Sequence, residues 1–171
     1  ISPVLSHTPV HPDHPFPRVF TKSHNFLVRV RRTASTDGEV SEVVVRVPNS
    51  LPSLVRFPPG DREGVYEFAL LSDIIGERVG RLFPDSEIES RVAFRVTRDS
   101  HLGVDPGDVE DLRLALEEEL LARPFGPPVR LEVPEDAPET VVERLREVFE
   151  IAPERCFRLD GPIDLTRLDG I

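Results

Sequence analysis

The chain has 171 residues, with 21 Lys+Arg against 31 Asp+Glu, a formal net charge of -10, 39% hydrophobic and 30% charged residues. That is the size and balance of one globular domain, and it argues against a disordered chain and against a membrane span, since no stretch approaches the ~20 apolar residues that a spanning helix needs. The single cysteine, Cys156, excludes an internal disulfide and a multi-cysteine metal site, and the acidic surplus argues against whole-surface binding of nucleic acid.

There is no Met, so Ile1 reads as the first residue of a piece or a processed product rather than as a translation start. Nothing near it has the charged head and apolar core of a signal segment, which leads to the expectation of a cytoplasmic protein; membrane association of a parent chain stays open. Lys22 is the only lysine among the basic residues. Arginine suits bidentate contact with carboxylate or phosphate, and a GC-rich genome produces the same bias.

Residues 1–20 form an extended arm punctuated by Pro3, Pro9, Pro12, Pro15 and Pro17, in which neither a helix nor a central strand fits. Residues 21–171 carry the domain proper. Phe26 to Arg32 alternates apolar and basic side chains and predicts a strand; Asp37-Gly38 signals a turn, and Val40 to Val47 returns as the partner strand. Leu51 to Pro59 is proline-rich, with room for a short extended piece over Leu54 to Phe57, and Val65 to Leu71 predicts another strand.

Ser72 or Asp73 is placed to cap a helix running to about Phe83, with Ile75, Val79, Leu82 and Phe83 at helical spacing and Pro84 as its stop. Ile88 to Arg98 alternates again, with Val92, Phe94 and Val96 on one side and Arg91, Arg95 and Thr97 on the other. Asp105-Pro106 predicts the start of a second helix to about Arg123, with a stripe of Val109, Leu112, Leu116 and Leu120. Val129 to Val133 is a strand. Pro138 opens a third helix, with Val141, Val142, Leu145, Val148 and Phe149 as its buried face, and Arg155 to Leu159 is a last short strand before a turn-like tail from Gly161 to Ile171. The order predicts an α+β two-layer sandwich: a mixed, mostly antiparallel sheet with about three helices on one face.

Few residues announce chemistry. His7, His11, His14 and His24 lie in or near the arm, where spacing alone does not converge imidazoles on a metal ion, so no metal site is assigned. No phosphate loop, dinucleotide fingerprint or nucleophile elbow occurs. Cys156 sits in a predicted strand with no activating partner and reads as structural. The acidic runs at Asp105 to Asp111 and at Glu117-Glu118-Glu119 read as a helix N-terminus and a solvated helix face. No catalytic and no cofactor-binding residue is assigned.

Arg29, Arg31, Arg46, Arg91, Arg95 and Arg130 alternate with apolar residues inside predicted strands, and they are the candidate contact residues. If the apolar sides all pack on the helices, these arginines form a basic sheet face. They then either pair across strands with carboxylates such as Glu42 and Glu132, dock another domain, or track a polyanion.

Six segments in order resemble the middle, or head, domain of the polyphosphate kinases. They are His14-Pro-Phe-Pro17 after Pro3-Val-Leu5, Leu54-Val-Arg-Phe-Pro58, Phe68 to Ile75 with Arg81-Leu-Phe-Pro84, Phe94-Arg-Val-Thr-Arg-Asp99, Val129-Arg-Leu-Glu-Val133, and Asp160-Gly-Pro-Ile-Asp-Leu165. Asp85-Ser86 departs from the family, which commonly has Gly and an aromatic residue there. The resemblance implies a piece of an enzyme that reversibly transfers the terminal phosphate of ATP to polyphosphate. It implies ATP and Mg as the parent's cofactors, with none in this piece, and a phosphate-accepting histidine in later domains that these residues do not include. Implied partners are the flanking N- and C-terminal domains and, for the parent, a second subunit; polyphosphate is a further candidate, whereas nucleic acid is not. A scaffolding and dimer-contact role follows for the domain itself. The rival expectation is a free-standing α+β module that recognises an anionic ligand or a protein.

Overall fold

A computed structural model describes residues 5–11, 13–33, 40–58, 64–99 and 126–163. Its centre is a six-stranded sheet of order β1-β3-β2-β6-β7-β8, built from β1 (Ser6–Val10), β2 (His24–Arg32), β3 (Val40–Arg46), β6 (Ser86–Arg98), β7 (Pro128–Pro134) and β8 (Cys156–Leu159). All neighbours are antiparallel except β7 and β8, which run parallel. A parallel pair needs a crossover, and here helix α2 (Glu139–Val148) supplies it. A two-stranded ribbon of β4 (Leu54–Arg56) and β5 (Phe68–Leu70) leads into helix α1 (Leu71–Arg78).

The fold is α+β with a mostly antiparallel sheet, as the element order predicts, but the two described helices do not share a face. Helix α2 lays Val141, Val142 and Leu145 on Leu27, Val44, Val92, Phe94, Leu131 and Val133. Helix α1 lays Leu71 and Ile75 on the other side, against Phe26, Val28, Val43 and Val45. Among the described residues, the expected placement of the helices on one face is therefore corrected to one helix on each. The cause is in the central strands: Phe26-Leu27-Val28 and Val43-Val44-Val45 are apolar at both parities, so neither side of β2 or β3 tolerates water. The helix expected over 105–123, with Val109, Leu112, Leu116 and Leu120, lies outside the described residues, as do the Asp37-Gly38 turn and both acidic runs.

Two local expectations shift. The later part of the arm is core: Val19 is fully buried and the Phe16 ring meets Phe149 edge-on at 5.4 Å. Earlier, β1 pairs with β3 from Ser6↔Arg46 to Val10↔Glu42, as an edge strand, where Pro9 with its missing N–H is tolerated. Helix α1 begins after Leu70, not at Ser72 or Asp73, because β5 runs straight into it and Leu71 N–H is satisfied by the Ser53 carbonyl at 2.7 Å. Asp73 then sits in the first turn, where its charge suits the positive helix end. The α-helix tightens to a 3-10 turn over Val79–Leu82 before Pro84 ends it.

Helix α2 ends in a Schellman motif: Glu150 N–H donates to the Glu147 carbonyl at 3.2 Å and Ile151 N–H to the Arg146 carbonyl at 2.9 Å. The turn places Glu150 at φ 52°, a conformation that glycine adopts without the Cβ penalty. Glu150→Gly is expected to raise stability by up to about 1 kcal/mol, because the lost side chain is exposed while the left-handed strain is relieved. A urea midpoint unchanged or lowered in the variant contradicts this.

Candidate functional site: the strand arginines

The register settles where the arginines of the strands go. On the α2 side of the sheet, Arg29 faces its cross-strand partner Glu42, Nε to Oε1 3.9 Å, and the same carboxylate is held from helix α2 by Arg144 at 3.6 Å. Arg46 on that side donates to the Arg18 carbonyl at 3.2 Å, and its guanidinium lies 4.3 Å from the centre of the Phe20 ring. Burial holds the Arg46 guanidinium below the usual arginine range.

Arg91, Arg95 and Arg130 lie on the α1 side. Arg91 donates to the Gly76 carbonyl and to the Glu77 carboxylate, placing a cation at the negative end of α1. Arg95 and Glu132 are exact cross-strand partners and both are buried, with Nη1 3.3 Å from Oε2 and side chains 9% and 8% exposed. Arg130 takes the other Glu132 oxygen at 3.0 Å and stacks at 4.1 Å over Phe157. Arg31 pairs with Glu89 beside the β-bulge at which the β2–β6 register shifts.

The six therefore do not form one basic face. At least two point to one side of the sheet and three to the other, and every one of them has a protein partner. Of the readings the sequence left open, pairing across strands and onto carboxylates is what the geometry displays. Sequence reasoning found Glu42 and Glu132 as the partners; it missed Glu77 and Glu89, because helix-to-strand contacts and bulges leave no periodic signal.

A cavity of about 230 Å³ lies between α1, the start of β2 and the turn at 161–163; its polar lining comprises His24, Ser53, Ser72, Asp73, Glu77 and Arg91. The charges are mixed, with two carboxylates near one guanidinium already bonded to Glu77, so it is not a phosphate cradle. The described histidines are dispersed. His7 meets Phe83 edge-on at 5.9 Å, His11 and His14 are 5.3 Å apart beside Asp13, and buried His24 lies against Phe26 at 5.4 Å. Among the described residues no group of three or more His, Cys, Asp or Glu is placed to hold a metal ion. Burial pushes the Cys156 thiol up, away from the nucleophilic thiolate. No helix among the described residues is long and apolar enough to cross a membrane.

Comparison with known proteins bears on the whole of this architecture. A family model described as the polyphosphate kinase middle domain matches residues 1–171. The chain is 40% identical over 166 residues to a polyphosphate kinase of Paraburkholderia phytofirmans, covering 97% of this chain and 24% of that protein. It is 37% identical over 172 residues to one of Xylella fastidiosa, covering 100% of this chain and 25% of the relative. The chain thus spans about a quarter of the length of these relatives. The crystal structure of polyphosphate kinase from Porphyromonas gingivalis superposes with a TM-score of 0.73 at 23% identity, over 99% of this chain and 23% of that one, which shows a shared fold. With a match that runs from the proline-rich arm to the last residue, this chain belongs to the polyphosphate kinase middle-domain family.

Proposed function

We propose that residues 1–171 are the scaffolding and contact domain of an enzyme that reversibly moves the terminal phosphate of ATP onto polyphosphate, and that they do not themselves transfer phosphate. The observation that carries this is the full-length family match, joined to relatives about four times as long that bear the enzyme's name. Phosphoryl transfer needs an in-line nucleophile and cations that are free to follow the moving charge. The six strand arginines are instead committed to Glu42, Glu77, Glu89, Glu132 and backbone carbonyls. In this reading ATP, Mg and the phosphate-accepting histidine belong to other domains of the parent.

The half-exposed arginines then contribute to contact with neighbouring domains or a second subunit more than to holding polyphosphate. The pair Arg29→Glu with Arg31→Glu in the full-length enzyme tests this, since their side chains are 39% and 50% exposed. The expected result is altered sedimentation or thermal stability, with the salt dependence of polyphosphate affinity unchanged. Intact assembly together with weaker polyphosphate binding and a shallower salt slope overturns the contact reading in favour of a polyanion track.

A further inference from the structure

At one end of the sheet, where β2 begins and β3 and β6 finish, the charges are not balanced. Arg29, Arg31, Arg91, Arg95 and Arg130 each meet a carboxylate. The guanidinium groups of Arg46 and Arg98, the last residues of β3 and β6, meet carbonyls and rings instead. Both grip the same stretch of the arm: Arg46 donates to the Arg18 carbonyl, and Arg98 Nε donates to the next one, that of Val19, at 3.1 Å. Arg98 Nη1 donates to the Gly126 carbonyl at 2.9 Å, and its guanidinium lies 5.8 Å from the centre of the Phe149 ring. These contacts fix Arg98 in place without neutralising it, and among the described residues its Nη2 is left for a further acceptor.

The turn into β2 adds to the same corner. Arg98 N–H donates to Thr21 Oγ1 at 3.0 Å and Lys22 N–H to the Val96 carbonyl at 2.7 Å, so both residues lie beside the end of β6. Thr21 accepts through that oxygen and keeps its hydroxyl proton to donate. Lys22, the chain's only lysine, is exposed and stands at φ 57°, a left-handed conformation that a residue with a Cβ adopts at a cost and that clusters at functional sites. Burial, and after it the charge of Arg18, hold the Arg98 guanidinium below the usual arginine range. A protein of net charge -10 thus gathers Arg18, Lys22 and Arg98 at one corner, where an anion placed among them relieves their mutual repulsion. Guanidinium, ammonium and hydroxyl are all donors, so the ligand is an acceptor. Several cations around one spot favour an ion with more than one negative charge and several oxygens, and a guanidinium matches phosphate oxygens two at a time. A lone carboxylate would leave most of the charge unanswered.

We propose that the corner formed by Arg98, Arg18, Thr21 and Lys22 binds a phosphate-type oxyanion, either free phosphate or one phosphate unit of a chain. The inference goes beyond the contact role proposed above and does not depend on it.

Lys22 is its own reporter, because acylation needs the neutral amine and an anion beside an ammonium favours the charged form. In the full-length enzyme, acetylation of Lys22 by acetic anhydride is followed by mass spectrometry of its peptide, in sodium phosphate and in sodium chloride of matched ionic strength. Phosphate is expected to slow the reaction by about three- to tenfold relative to chloride. Arg98→Gln and Arg18→Gln are each expected to remove most of that slowing. The second variant is included because Arg98 also holds the arm through two hydrogen bonds, whereas Arg18 is exposed. Slowing by orthophosphate at millimolar concentration identifies the free ion as the ligand; slowing by long-chain polyphosphate at far lower phosphate concentration identifies a chain unit, and either result supports the site. Equal rates in phosphate and chloride, slowing that survives in folded Arg18→Gln, or a Lys22 amine that is unreactive throughout because protein covers it, overturns the proposal. Failure here leaves the contact reading standing, since the charge reversal at Arg29 and Arg31 decides that by assembly and salt slope.

Discussion

Truncating Glu132 to alanine is expected to destabilise the domain by about 3–5 kcal/mol, the usual cost of breaking a buried ion pair by removing one member. The carboxylate is 8% exposed and holds Arg95, 9% exposed, at 3.3 Å and Arg130 at 3.0 Å. Removing it takes from the buried Arg95 guanidinium the carboxylate that it faces across β6 and β7. Arg130→Ala is expected to cost far less, about 0–1 kcal/mol, because that side chain is 42% exposed and solvent replaces the carboxylate. The pair itself is not expected to be a large net stabiliser. Arg95→Met combined with Glu132→Leu, which removes both charges and keeps the volume, is expected to recover most of the loss. Urea unfolding of the three variants measures this, and a Glu132→Ala midpoint close to that of Arg130→Ala would contradict it.

Phe94→Ala is expected to cost about 3–5 kcal/mol. Phe94 is fully buried on the α2 side of β6, packed with Val92, Val96, Leu131 and Leu145, and its ring lies 6.0 Å from that of Phe149 at the end of the helix. The hole left by truncation is bounded by a sheet below and a helix above, neither of which closes over it without breaking hydrogen bonds. The rigid setting places the cost toward the upper part of that range. A loss below about 1.5 kcal/mol, measured by chemical unfolding, would mean that the helix collapses onto the sheet. The neighbouring Arg95 makes an instructive contrast: one residue along the same strand, on the other face, its cost is electrostatic where that of Phe94 is a matter of packing.

Much of this was legible in the sequence because it rests on short-range rules. The alternation at Val92, Phe94 and Val96 put those residues in the core and Arg95 opposite them, and Val141, Val142 and Leu145 marked the buried side of α2. What failed was the inference from arginine-bearing strands to a one-sided sheet. The runs Phe26-Leu27-Val28 and Val43-Val44-Val45 signal strands covered on both sides, whereas the arginines at 29, 31 and 46 carry a period of two that masks this signal. The partners Glu77 and Glu89 depend on how α1 crosses the sheet and on one extra residue in β6, neither of which a linear pattern encodes. Tyr66 and Phe68 were readable as strand residues, yet their outward direction follows from which side of the ribbon meets Leu82 and Phe83, a tertiary fact.

Strands that are apolar at both parities have a weakness: hydrophobic patterning no longer tells them how to align. Sliding β2 by one residue along β3 would exchange Phe26 and Val28 for Leu27 and still bury oil on both sides, so packing alone penalises the slip weakly. The ion pairs directly across from one another supply the missing instruction. A slip would move Arg29 off Glu42 and set it opposite Ser41 or Val43 on the other side of the sheet, and the same error between β6 and β7 would separate Arg95 from Glu132. These two pairs act as keys at separate seams of the sheet, contributing little to how tightly it holds and much to which alignment it accepts. A chain in which both were replaced by isosteric apolar residues would be expected to fold with its strands less uniquely matched, visible as doubled amide resonances along β3 and β7.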